Sequence, residues 1–474
     1  MTHHIRGDSC EASLTSGAMN SHAPGARPAT SPATSPTTSP RRIPVVPVVA
    51  LATTALLQTV QFLSMQIAGS RRGMSLTEVL MQWDSQWMTL ISRHGYSGFS
   101  MGTAGQPGGE PIQWQSVAFF PGYPFLVRTV AAPVRFLTGA EITSGAAVGV
   151  SVVASFLMVW GLGRLAVDVL WPRARGMRGR QDDATVTPAG PVTEGLLTAS
   201  AGVLALGAPM AVVYVMPYSE SLFTALSVWT VYMLLRGRHL TAGVLVFLAG
   251  LTRITAVVLV LTLFVAAVVE LWHWWRAGRG ADTAGRVERA CAAPVIGALG
   301  TAGYIIWANR QTAEIGGYFA AQERGWHSGF DFGVATWEWV TTRPLNIFSH
   351  GVDDGTMPGY AISGWSMILV AVLCAVSLWP LLTGTIPWQL WLPAVAVAGM
   401  TLGSDGIMHS RPRLLLIPVL FLLLPAVVRG VRAVRSGAVR RPWLAGVPVV
   451  VGVTWCVAGT LVSAAMLVDF AYAI

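Results

Sequence analysis

The chain has 474 residues, 53% of them hydrophobic and only 11% charged, with a mean hydropathy of +0.56. Soluble domains carry roughly 25% charged residues, so a water-soluble body of this size is excluded. The net charge is +9 and every one of the 31 basic residues is arginine. These arginines fall between apolar runs, which points to membrane topology and away from nucleic acid.

Residues 1–42 are rich in Ser, Thr, Pro and Ala, with SPATSPTTSP at 31–40. Such a segment cannot bury enough apolar surface to fold, and it is too long and polar for a signal-peptide n-region. We expect a disordered cytoplasmic tail ending at Arg41-Arg42. A multi-spanning domain then fills 43–474. Its first span runs uncleaved from Ile43 to about Met65. Further apolar runs near the length of about 20 residues needed to cross a bilayer lie at 142–171, 195–216, 221–235, 240–252, 254–275 and 291–308. Four more lie at 361–382, 388–403, 412–428 and 443–467. The expectation is an all-α polytopic membrane protein with about 11 transmembrane helices. Residues 117–138 are apolar but interrupted by Pro121, Pro124 and Pro133, and they carry Arg128 and Arg135. They are expected to form a helix in the outer interface or one only partly inserted.

Arginine sets the orientation, because cytoplasmic loops collect basic residues. Arg173, Arg175, Arg178 and Arg180 fall in one loop, and Arg236 and Arg238 in a second. Arg276, Arg279, Arg286 and Arg289 fall in a third, and Arg429, Arg432, Arg435, Arg440 and Arg441 in a fourth. All four loops alternate onto the side of the N-terminal tail. The opposite, extracytoplasmic side receives the long loops 67–141 and 309–360. It also receives MPYSES at 216–221, the turn at Thr252-Arg253 and SDGIMHSRPR at 404–413. A multi-pass protein of the plasma membrane, with its active site extracytoplasmic, is expected.

The candidate chemistry lies on that side. Asp84 sits between Trp83 and Trp87 in QWDSQW. A carboxylate there can take a proton from a sugar hydroxyl while indoles hold the ring. An interfacial aromatic belt with a capping Asp accounts for the same residues. Glu220 of MPYSES opens a helix, where a carboxylate is favourable, and it could bind an acceptor hydroxyl or orient an arginine. Arg253 lies inside a long apolar stretch and marks a site unless it snorkels from a helix end. His409, Arg411 and Arg413 could grip a phosphate, since guanidinium forks match phosphate oxygens. Capping, snorkelling arginines are the alternative.

Asp353-Asp354-Gly355 reads more readily as a solvated turn than as a metal site. Cys10, Cys291, Cys374 and Cys456 show no CxxC spacing, so neither a zinc site nor a disulfide framework is indicated. No metal and no cofactor is expected.

In combination and in order, WDSQW…GY, AFFPGYPFLVR, PYSES, LTR and the arginine-rich segment at 404–421 resemble the PIG-V-like mannosyltransferases. These are multi-spanning enzymes of the C-type glycosyltransferase superfamily, and their eukaryotic members add the second mannose to glycosylphosphatidylinositol anchors. The match covers about 45–430, and the lysine-free composition suits a bacterial member. The resemblance implies a polyprenyl-phosphate-mannose donor, inversion at the anomeric carbon and Asp84 as general base. Glu220, Arg253 and Arg411 carry over as motif positions. The expected substrate-binding set is Trp83, Trp87, Tyr123, Tyr218, Glu220, Arg253, His409, Arg411 and Arg413. The partners implied are the lipid donor, a lipid or glycan acceptor and membrane lipids. A transporter or flippase of lipid-linked sugars is the rival class, and a C-type enzyme using another lipid-phosphate sugar is a third possibility.

Overall fold

A computed structural model describes residues 44–96, 113–173, 189–278, 280–343, 357–437 and 446–469. The expected tail at 1–42 lies outside these residues. So do Arg175, Arg178, Arg180, Arg279, Arg440, Arg441 and the Asp353-Asp354 turn.

The chain opens with α1 (Val45–Arg71), then the short α2 (Leu76–Leu80) and α3 (Asp84–His94). Next come α4 (Gly122–Thr138) and α5 (Thr143–Arg164), which runs through a π-turn (Leu165–Leu170) into α6 (Trp171–Arg173). The central helices are α7 (Pro191–Leu206), α8 (Glu220–Leu235), α9 (His239–Gly250), α10 (Val257–Arg276) and α11 (Ala281–Gln311). Two short helices, α12 (Tyr318–Trp326) and α13 (Val334–Thr342), lie in the second long loop. Last are α14 (Met357–Leu382), α15 (Trp388–Leu402), α16 (Arg411–Leu414), α17 (Leu416–Arg435) and α18 (Val447–Ala464). Among the described residues the only strand-like pairing is an isolated bridge between Phe330 and Ser404.

Seven described helices are long and apolar enough to cross a membrane, and four shorter apolar helices, α7, α8, α9 and α15, lie among them. The burial pattern fits a lipid solvent. On α1 the large apolar side chains Leu51, Leu56, Leu63 and Ile67 are exposed, while Thr54, Gln58 and Gln61 are buried. Hydrocarbon tolerates exposed leucines, whereas a polar side chain must find a partner inside. Close helix contacts use small residues. A Cβ on Gly300 of α11 would lie 2.1 Å from the Phe247 carbonyl oxygen of α9, so alanine there would force these helices apart.

Helix ends sort onto two faces. On one, Glu270 near the end of α10 lies 3.7 Å from His239 Nε2 at the start of α9 and 2.5 Å from Arg286 of α11. Arg173, Arg236, Arg238, Arg276 and Arg435 end helices or stand just past helix ends on this same side. On the other face the starts of α3 and α8, the turn into α10 and the short α16 converge on a cavity.

Between α7 and α8, residues 207–219 leave the α-helix, with a 3-10 turn at Ala211–Tyr214, while almost wholly buried, and Met210 has φ 66°. Their carbonyls would otherwise be orphaned in an apolar setting. Gln61 donates to the Leu206 carbonyl at 2.7 Å, Ser155 to Tyr214 at 2.8 Å and Ser151 to Met216 at 2.7 Å. Side chains of α1 and α5 thus fix the segment that delivers Tyr218, Ser219 and Glu220.

The Pro-interrupted segment expected at 117–138 divides in two. Residues Gln113–Ala118 form a 3-10 turn and Gly122–Thr138 form α4, which buries Tyr123, Val127 and Ala131. Its far end leaves Phe136 90% and Leu137 79% exposed.

Candidate functional site

The cavity has a volume of about 900 Å³ and gathers residues from seven separate stretches of chain. Asp84 is the first residue of α3, and Trp83 before it has φ 56° and ψ −125°. A non-glycine residue there costs on the order of 1–3 kcal/mol. The neighbouring packing holds this conformation and turns Asp84 into the cavity. Glu220 begins α8, Arg253 precedes the 3-10 turn into α10, and Arg413 lies in α16.

These four form a charge network. Asp84 Oδ2 lies 2.8 Å from Arg413 Nη1, and Glu220 Oε1 lies 2.6 Å from Arg253 Nη1 and 3.9 Å from Arg413 Nε. Arg253 also donates to Ser219 Oγ at 3.3 Å. Arg413 packs over the Tyr218 ring at 5.1 Å. Glu220 therefore holds two guanidiniums together, which favours the arginine-orienting alternative for this residue over acceptor binding. Two carboxylates and two arginines leave the cluster neutral before any ligand arrives.

An aromatic wall stands beside it. Trp87 stacks on Phe119 at 5.5 Å and 20°, and Phe119 meets Trp326 edge-on at 5.7 Å. Aromatic faces of this kind suit the C–H surfaces of a sugar ring. The AFFPGY segment sets this wall. The Phe119 carbonyl accepts from Tyr96 at 2.6 Å and Tyr304 at 2.9 Å. The Gly122 N–H donates to Leu251 at 2.6 Å, next to the Thr252-Arg253 turn. A Cβ at Gly122 would meet the Leu251 carbonyl oxygen at 2.7 Å, so the contact requires glycine. Burial pushes the phenol of Tyr318 up, despite its hydrogen bond with Gln322. Tyr318 therefore stays a neutral hydroxyl in the cavity wall.

Of the residues expected at the site, Trp83, Asp84, Trp87, Glu220, Arg253, His409 and Arg413 line the cavity. Tyr218 lies behind Arg413, fully buried, with its hydroxyl 3.5 Å from the Gln82 carbonyl. Tyr123 and Arg411 stand elsewhere. The Tyr123 hydroxyl donates to the Ala147 carbonyl at 2.7 Å and lies 2.8 Å from Ser151 Oγ. It braces the segment before Glu220 and does not line the cavity. Arg411, only 2% exposed, donates to Thr336 Oγ1 at 2.6 Å, to the Thr401 carbonyl at 2.7 Å and to the Ser404 carbonyl. Its guanidinium ties α13 to the end of α15. Arg411→Ala is accordingly expected to lower the melting temperature of the purified protein while leaving affinity for a lipid phosphate within about twofold, since it orphans buried carbonyls and removes no cavity donor. A large loss of affinity with unchanged melting would return Arg411 to the phosphate.

Phe119, Ser219, Trp326, Phe330 and Tyr360 also line the cavity, and residue type and spacing alone do not mark them. Phe330 belongs to a loop locked by hydrogen bonds from Asp331 N to Gly403 O and from Asp405 N to Gly329 O. Asp331 caps α13 through the N–H groups of Ala335 and Gly333, and these hold its carboxyl below the usual range. Among the described residues no cluster of three or more His, Cys, Asp or Glu side chains could hold a metal. Comparison with protein-family models and with curated proteins gave no match for this chain.

Proposed function

We propose that the chain is a membrane glycosyltransferase of the C-type class, a PIG-V-like mannosyltransferase. In this reading mannose passes from a polyprenyl phosphate donor to a lipid or glycan hydroxyl. The observation that carries the reading is the meeting of Asp84 with Arg413, Arg253 and the Trp87–Phe119–Trp326 wall in one cavity. Five distant sequence stretches supply these groups, and each suits one part of a glycosyl transfer.

Asp84 accepts the proton of the acceptor hydroxyl as that oxygen attacks the anomeric carbon. The bond from that carbon to the donor phosphate oxygen breaks, and its electron pair leaves on the phosphate. Arg253 and Arg413 stabilise the charge gathering there, with His409 at the same end of α16. Attack opposite the leaving phosphate inverts the anomeric carbon, so one carboxylate suffices as base. The apolar lining from Met400, Leu414 and Ile417 suits the first isoprene units. The seven long and four shorter apolar helices are taken as eleven spans, with α4 in the outer interface. The arginine-rich face is taken as cytoplasmic, which makes the cavity extracytoplasmic.

The test supplies purified protein in lipid vesicles with polyprenyl phosphate mannose, labelled in the sugar, and lipid extracts as acceptor. A new labelled glycoside is expected, absent with Asp84→Asn. Label that crosses the bilayer with no new glycoside would establish a flippase instead.

A further inference from the structure

Within this reading, the contacts of Arg413 point to an order of events. Arg413 is 10% exposed at its side chain and faces three groups: Asp84, Glu220 and the Tyr218 ring. Its Nη1 is only 2.8 Å from Asp84 Oδ2. Nε and Nη1 are both buried; Nη1 is committed to Asp84, while Nε faces Glu220 only at 3.9 Å. The Arg413–Asp84 pair is held by charge and proximity. Buried charged donors are costly to leave without acceptors, so Arg413 can leave Asp84 only for another anion. It borders an open cavity that also holds Arg253.

A planar guanidinium satisfies a phosphate best through two parallel N–H bonds. Arg413 has such donors to offer, and Asp84 is the competing anion. Meanwhile Asp84 can serve as base only if its oxygen faces the acceptor and is not drawn toward Arg413.

We propose that Arg413 is exchanged between Asp84 and the donor phosphate, so that the catalytic carboxylate is released toward the acceptor only after the donor has bound. Glu220 is the positioning residue in both states, because Arg253 at 2.6 Å keeps it in place while Arg413 moves. The empty site keeps its base occupied. A bound donor both supplies the sugar and frees the group that activates the acceptor. Donor before acceptor is the resulting order of addition.

The exchange predicts a thermodynamic coupling that plain repulsion does not. Polyprenyl monophosphate in detergent is the probe, and affinity is measured for wild type, Asp84→Asn, an Arg413 variant and the double variant. The cycle is run with both Arg413→Ala and Arg413→Gln, each checked for folding by thermal unfolding. Asp84→Asn removes the competitor and is expected to tighten binding about tenfold in the wild-type background. It should change binding less than about twofold when Arg413 is absent, because coupling requires both partners. Equal tightening in both backgrounds means that Asp84 merely repels phosphate, and it overturns the exchange while leaving the lipid-phosphate donor intact. No tightening in either background also overturns it. Folded wild-type protein that fails to bind the probe at all overturns the donor reading itself, and the exchange with it.

Discussion

Asp84→Asn is expected to insert, fold and bind a polyprenyl phosphate, yet to transfer sugar about 10²–10⁴-fold more slowly than wild type, the usual range for losing a general base. The substitution keeps size and hydrogen bonding and removes only proton-accepting power. Asp84 is a quarter exposed, with side-chain accessibility of 24%. Its backbone position is set by Trp83 and the start of α3, neither of which depends on its charge. Arg413 loses one partner but keeps Glu220 at 3.9 Å and the Tyr218 ring. Thermal unfolding in detergent should thus shift little while single-turnover transfer collapses. Transfer within a few-fold of wild type would remove Asp84 as base and leave Glu220 as the other carboxylate in the cavity. A flippase has no proton to remove, so the same variant would still move its lipid.

Glu220→Ala is expected to damage folding and donor binding together. Glu220 is 6% exposed and lies between two guanidiniums. Removing one member of a buried ionic group costs about 3–5 kcal/mol, because the charges left behind have neither water nor a partner. Arg253 keeps only the Ser219 hydroxyl among the contacts described for it. The two arginines then repel each other, and lipid-phosphate affinity should fall at least tenfold. Glu220→Asp separates charge from reach: it keeps the anion but shortens the arm by one methylene, and partial recovery of both stability and affinity is expected. Unchanged melting with Glu220→Ala would show that the arginines are organised by other groups.

The course of the chain is readable because each apolar run is bounded by its own punctuation. Arg71, Arg276 and Arg435 close helices, and Pro191 opens one. The run expected at 195–216 extends too far: α7 stops at Leu206, and residues 207–219 are apolar but hold only a 3-10 turn. Hydropathy cannot separate the two, because carbonyls at Leu206, Tyr214 and Met216 are satisfied by Gln61, Ser155 and Ser151 from elsewhere in the chain. At the site, residue type locates Asp84, Glu220, Arg253 and Arg413. It does not separate Arg411 from Arg413. Two positions apart on a helical turn differ by roughly 200° in direction, so one guanidinium enters the cavity and the other turns into the protein. Only knowing which side holds the cavity decides between them. The aromatic wall is half legible: Trp87 stands beside the aspartate in sequence, but Phe119 and Trp326 come from segments with no spacing relation to it.

The short helices have a consequence for chemistry. At 1.5 Å per residue, the 16 residues of α8 span about 24 Å, whereas the hydrocarbon layer is about 30 Å thick. A helix that starts level with the arginine-rich boundary therefore stops several ångströms short of the far one, and Glu220 and its neighbours sit at the bottom of that shortfall. The proposed reaction would then proceed below the plane of the headgroups, in a well lined by residues of α3 and α12. In the proposed transfer, an activated sugar held at that depth would be met by a hydroxyl carried in on a membrane-anchored molecule, and the shallowness of the spans beneath it would set that preference.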